Sequence, residues 1–169
     1  MTTAQLRPGQ NPDLPHVGNL HFRSRADAYR HLLRPETLEF GGNGALAEWW
    51  TERWKWEQPT HRLTVATIDA DLVGFTYIGP SPDDGVLELY AIHVDPAHVG
   101  TGVGMLLMED ALDHLGPRAV LWVLPGNERA RRFYESGGWQ PDGTTRVDKM
   151  GDEEVQHMRY TLTRPDLPR

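Results

Sequence analysis

Residues 86–94 read VLELYAIHV, apolar on both alternating faces, with Glu88 as the only acid. Such a run fits a strand covered on both sides, a central strand of a sheet. Asp95 and Pro96 end it, and glycines then fall at positions 100, 102 and 104 before a helical pattern resumes. Alternate glycines clear Cβ atoms from one side of the turn, so backbone amides can approach an anion. The helix that follows adds partial positive charge at its N-terminus. Strand, glycine turn and helix together point to an α/β domain with a phosphate-binding turn, and a diphosphate is the natural ligand.

Two familiar phosphate motifs do not fit this turn. A Walker A loop needs Gly-Lys-Ser/Thr, and the chain has no Gly-Lys pair. The dinucleotide fingerprint needs a third glycine, where this sequence has Met105 or Leu107 depending on the starting glycine. It also belongs to an early βα unit, and this turn lies past the middle of the 169 residues.

The flanking sequence supplies a mixed set of elements. Helical spacing runs over 13–33, with Pro35 expected to end it, and a second helix is expected over 45–57 after a flexible joint at Gly41, Gly42 and Gly44. Strands are expected at 63–68 and 72–78, joined as a hairpin by Asp69-Ala70-Asp71, with a loop over 79–85. A helix to about Leu115 precedes a strand at 119–124, and Asn127 can cap another helix to about Ser136 that closes on Gly137-Gly138. Trp139 and Gln140 suggest a short strand or turn, and 155–162 a last strand. An early strand at 5–7 fits as well. The Pro-rich stretches 7–15 and 164–169 read as irregular or frayed. The whole is one domain by length.

The second informative segment is 121–142, LWVLPGNERARRFYESGGWQPD. It resembles the part of the GNAT N-acetyltransferase superfamily in which a strand leads to Asn-x-x-Ala-x-x-Phe-Tyr-x-x-x-Gly-Phe/Trp. Asn127, Ala130, Phe133, Tyr134, Gly138 and Trp139 carry the match. The stretch 87–107 resembles that family's central motif, Gln/Arg-x-x-Gly-x-Gly/Ala between strand and helix, with Gly102 and Gly104 in the two small positions. Val99 departs from the pattern, standing where a Gln or Arg is usual. The two motifs keep the family's order and spacing.

The resemblance implies an α/β fold with a mixed, mostly antiparallel sheet, splayed at its middle strands and flanked by helices. It implies acetyl-CoA as cosubstrate, with pantetheine in the splay along Ile92, His93 and Val94. The pyrophosphate would then lie on Val99, Gly100, Thr101, Gly102, Val103 and Gly104, with Asn127, Ala130 and Tyr134 beside the pantetheine arm. The implied reaction is direct transfer of acetyl to a primary amine, small or peptidic, within a ternary complex. The implied alternative is a regulatory module that holds acyl-CoA without turnover.

Transfer from a thioester to an amine requires a base for the amine and an acid for the leaving thiolate. Tyr134 holds the family position of the acid, and a phenol is protonated at neutral pH. Glu88 lies 14 residues before Gly102, the position of a base in some family members. A lone acid on so apolar a strand is costly unless it serves a site. The plainer alternatives are a packing tyrosine and a carboxylate that only lines the acceptor pocket. His93 is expected on the opposite face from Glu88 by strand alternation, as a packed histidine. His157 on the last strand could reach the acceptor. Trp49, Trp50 and Trp54 share a helical face with Leu46; core packing is the default for them, and an aromatic wall for the acceptor is the functional alternative. Arg129, Arg131 and Arg132 fit a solvated helix face.

Composition narrows the remaining classes. The chain has no cysteine, which removes disulfides, thiol nucleophiles and thiolate metal sites. A net charge of -7 disfavours nonspecific nucleic-acid binding. No apolar run is long enough for a membrane helix and no signal peptide opens the chain, so a cytoplasmic location is expected. No His-x-x-x-His or His-Glu-x-x-His spacing occurs, so no metal is expected. Relatives that pair as homodimers leave that state open here.

Overall fold

The computed structural model describes residues 3–39, 41–82 and 85–165. Among these, seven strands form one sheet: β1 (Gln5–Pro8), β2 (Arg62–Ile68), β3 (Asp71–Pro80), β4 (Leu87–Val94), β5 (Arg118–Val123), β6 (Gln140–Met150) and β7 (Glu153–Thr163). Their order is β1-β2-β3-β4-β5-β7-β6. Five helices accompany them: α1 (Leu14–Tyr29), α2 (Pro35–Leu38), α3 (Asn43–Glu57), α4 (Val103–Leu115) and α5 (Glu128–Ser136). The β4–β5 pair is parallel and every other neighbouring pair is antiparallel. The expected mixed, mostly antiparallel α/β sheet is therefore present.

The apolar periodicities explain the two layers. Leu14, Val17 and Leu20 of α1 and Trp50 of α3 pack on Leu63, Val65, Phe75, Tyr77 and Ala91. A Cβ on Gly18 would stand 2.3 Å from the Ala47 backbone, so this glycine is what lets α1 and α3 approach so closely. On the other face, Met108, Ala111 and Leu115 of α4 meet Ile78, Leu89, Ala119, Leu121 and Val123. Val103 and Leu107 extend that layer over Ala66 and Val73.

Four sequence expectations are corrected. Residues 7–15 are ordered, because the Arg7 guanidinium donates to both Asp13 carboxylate oxygens at 2.7 and 2.8 Å and Asp13 also accepts from the Gln10 amide. Helix α1 ends at Tyr29, and Pro35 opens α2 rather than closing α1, since its missing N–H and fixed φ suit a first turn. The short strand or turn expected at 139–140 is the start of the eleven-residue β6, which extends in register from Met150↔Glu153 to Gln140↔Thr161 across a bulge. Its residues are mostly exposed, so no alternation marks it. Arg164, expected to fray, donates to the Leu112 and Gly116 carbonyls; residues 166–169 lie outside the described residues.

The β2–β3 hairpin turns on Asp69 and Ala70 at φ 50° and 74°. Both central residues are left-handed, as a two-residue type I′ turn requires. Alanine in that region costs about 1–2 kcal/mol. Ala70→Gly is therefore expected to raise stability by about 1 kcal/mol, read as a higher denaturation midpoint at unchanged m-value.

Candidate active site

Strands β4 and β5 share only two ladder positions, Leu87↔Ala119 and Glu88↔Val120. Beyond Glu88 they diverge, and the β5-side backbone edge of residues 89–94 faces a cavity of about 500 Å³. Leu89 to Val94 form one wall and Trp122, Val123, Asn127, Ala130, Phe133 and Tyr134 the other. Ser24, Ala28 and Tyr29 of α1 cover it from one face of the sheet. An extended ligand with amides of its own can continue the sheet in such a gap.

At one mouth lie Val99, Gly100, Gly102, Gly104 and Met105. Gly102 caps α4 at φ 93°, a left-handed conformation that a Cβ disfavours. The first ladder bond of α4 runs from the Leu106 amide to the Gly102 carbonyl, so the N–H groups of Val103, Gly104 and Met105 have no partner within the helix. Free amides at the start of a helix have the geometry that an anion requires. The Val103 side chain is buried in the core, leaving only its amide for a ligand. Thr101 sits beside the cavity, its hydroxyl donating to the His98 carbonyl.

Asn127 caps α5, its Oδ1 accepting from the Ala130 amide at 3.3 Å. That cap aims α5 so that Ala130, Phe133 and Tyr134 face the gap. The Tyr134 phenol makes no hydrogen bond to another described residue. Burial, and then the neighbouring Tyr29 phenol, push its pKa well above the ordinary value, so it is a neutral donor at any physiological pH. Tyr29 itself was not singled out from the sequence, because nothing in the α1 periodicity marks it.

The β4 side chains are re-sorted by a bulge. Tyr77 pairs with Ala91 and Ile78 with Leu89, which leaves Tyr90 extra on β4. Leu89 and Ile92, three residues apart, consequently pack on the same α4-facing layer. His93 therefore lies on the α1-facing side, as Glu88 does, and not opposite it as strict alternation predicted. His93 lines the cavity, its Nδ1 2.9 Å from Ser24 Oγ. Its ring centroid is 4.4 Å from that of His21. Trp50 Nε1–H donates to His21 Nδ1 at 3.0 Å, so that nitrogen is the unprotonated one.

Glu88 lies one residue short of the cavity lining, buried at the last paired position. Its carboxylate, after burial, helps lift the Tyr90 phenol to about 12. Trp50 and Trp54 belong to the α1–α3 core, and of the three tryptophans singled out from the sequence only Trp49 is substantially exposed. The Arg53 guanidinium fills the space between Trp49, Trp50, Tyr77 and Tyr90, 4.8–5.5 Å from each ring centroid, and is paired with Glu57. The aromatic wall thus holds a cation of the chain's own. His157 lies on β7 outside the cavity lining, its Nδ1 3.2 Å from the Val155 carbonyl. Arg131 holds the β5–α5 connection through the Pro125 carbonyl and the Tyr160 hydroxyl. Among the described residues no cluster of three or more His, Asp or Glu could hold a metal, and no helix is long and apolar enough to cross a membrane.

Burial lowers His93 to about 4 and His21 well below its ordinary value. Both are neutral when folded, whereas unfolded histidines titrate near 6.5. Their contribution to stability is complete above about pH 6.5 and is lost progressively as pH falls toward 4, because the unfolded chain binds the extra protons. Denaturation midpoints measured across that window should fall with acidification, and His93→Gln should flatten the slope.

The comparisons with known proteins agree with this geometry. Residues 26–139 match the acetyltransferase (GNAT) family. A Mycobacterium tuberculosis protein named "Probable N-acetyltransferase" is 28% identical over 97% of this chain and 96% of its own length. The mycothiol acetyltransferase of Acidimicrobium ferrooxidans is 32% identical over 81% of this chain, a match that spans only 43% of that longer protein. Among solved structures, the PaiA N-acetyltransferase of Thermoplasma acidophilum, in complex with coenzyme A, superposes with a TM-score of 0.76 at 16% identity, covering 95% of this chain and 99% of that one. The Escherichia coli ribosomal-protein-S18-alanine N-acetyltransferase gives 0.68 at 20% identity, covering 99% and 97%. With the splayed strands, the glycine turn and the matched motifs in one place, the chain belongs to the GNAT acetyltransferase family.

Proposed function

We propose that this protein transfers an acetyl group from acetyl-CoA directly to a primary amine within a ternary complex. The observation that carries the reading is the gap between β4 and β5, which joins an anion cradle at Gly102 to a neutral phenol at Tyr134. The fit is physical. The free amides at the start of α4 suit a pyrophosphate, the bare edge of residues 89–94 suits the amides of pantetheine, and a cavity of about 500 Å³ is large enough for the arm and its thioester.

In this reading the amine nitrogen attacks the thioester carbonyl, the C–N bond forms and the C–S bond breaks. The Tyr134 hydroxyl donates its proton to the departing sulfur. The exposed backbone amides of β4 beside the bulge stabilise the oxygen as charge develops on it. The amine proton leaves toward Glu88, which is set below the cavity and reached through water. Burial of Glu88 on the acceptor-facing side supports that role, and its position short of the cavity favours relay over direct contact. The amine approaches from the α1 side, opposite the glycine turn.

The test is calorimetric titration with acetyl-CoA, followed by release of free CoA thiol in the presence of pooled amines. Binding with amine-stimulated release is the expected result. Binding with no release from any amine class would assign a regulatory acyl-CoA module instead, and no binding would overturn the reading of the glycine turn. Tyr134→Phe should lower kcat by about 10²–10⁴-fold while leaving acetyl-CoA affinity essentially unchanged.

A further inference from the structure

We infer that the acceptor carries a carboxylate, or a planar anion like it, beside its amine, and that Arg146 of β6 receives it. The inference rests on the acetyltransferase reading and deepens it.

Trp122 lies between Leu121 and Val123, which face α4, so its ring stands on the α1 side, where it lines the cavity. The Arg146 guanidinium stacks 4.1 Å from the centre of that ring. Arg146 also lies close enough to Tyr90, on the opposite wall, to act electrostatically on its phenol. Arg146 is not itself a lining residue; stacked on Trp122, which is one, the guanidinium stands next to the cavity on the α1 side of the sheet.

Its orientation is fixed from two directions. Nε donates to Asp148 at 2.6 Å, and the ring of Trp122 supports its flat face. The two terminal nitrogens bond no other described residue, and the side chain is 40% exposed. A guanidinium held flat with its outer edge free presents the paired N–H fork that matches a carboxylate. Arg159, the other arginine near Trp122, is tied to Asp142 at 2.6 Å, so the two are not equivalent. An acceptor with a second cation, such as a polyamine, would meet Arg146 as a like charge.

The experiment uses the intact protein saturated with CoA and matched probes: the common L-α-amino acids, their carboxamides and their decarboxylated amines. Binding is measured by calorimetry and turnover by thiol release with acetyl-CoA. At least one free acid is expected to bind and react about tenfold or more better than its amide and its amine, the scale of one charge-assisted hydrogen bond. Arg146→Gln should bring that acid down to the level of its amide, mainly through KM, and leave the amide unaffected. Arg146→Lys should recover only part of the preference. Amides or plain amines that match or exceed every acid, or an Arg146→Gln loss shared equally by all three probes, would overturn the assignment, as would a CoA complex that binds none of the acids. The separate acetyl-CoA titration isolates failure of the underlying reading, because it does not involve Arg146.

Discussion

Two adjacent strands that pair for only two residues leave backbone donors and acceptors facing nothing inside a folded protein. Buried peptide groups need partners, so a gap of this kind persists only when the rest of the structure holds it open and a ligand or water satisfies it. The surrounding elements do hold it open. Antiparallel pairing to β3 secures β4 along nearly its whole length, pairing to β7 secures β5, and α1 spans the opening between them. Leu32 presses against Gly126, where a Cβ would come within 2.6 Å, so the segment after α1 locks onto the connection that leads into α5.

Much of this was legible in the residues. The apolar run at 86–94, the glycines after it and the Asn127 cap each have one dominant physical reading, and all three appear where expected. The parts that were not legible have specific causes. β6 is polar and exposed, so no hydrophobic period marks it, and its pairing is set by β7 rather than by its own composition. The side on which His93 falls depends on a one-residue bulge, which strand periodicity cannot encode. A ligand wall stayed open as the alternative to core packing for the tryptophan cluster because the sequence does not reveal that Arg53, four residues beyond Trp49, folds back into it. Tyr29 reaches the cleft, and Arg146 the Trp122 ring that lines it, only through tertiary packing, with no local pattern to announce them.

The charge distribution around the gap separates into two regions. Beneath α1 the two histidines are neutral and hydrogen-bonded within the protein, His21 to Trp50 and His93 to Ser24. Toward β6 and β7 the polar groups form partly exposed ion pairs, Arg146 with Asp148 and Arg159 with Asp142. A low-dielectric interior strengthens the hydrogen bonds made within it, while ion pairs nearer the solvent are weakened by screening.

The bulge at Tyr90 divides β4 into two stretches whose inward and outward positions are out of phase. Residues on the paired side of the bulge and residues on the cavity side can then change under separate constraints, because a shift in one does not rotate the other. A single inserted backbone unit thus lets one strand act as a structural beam at its first end and as an adjustable cavity edge at its last. Removing that unit would exchange the faces of Ile92, His93 and Val94 together, turning a histidine into the α4 layer and two aliphatic side chains out toward α1.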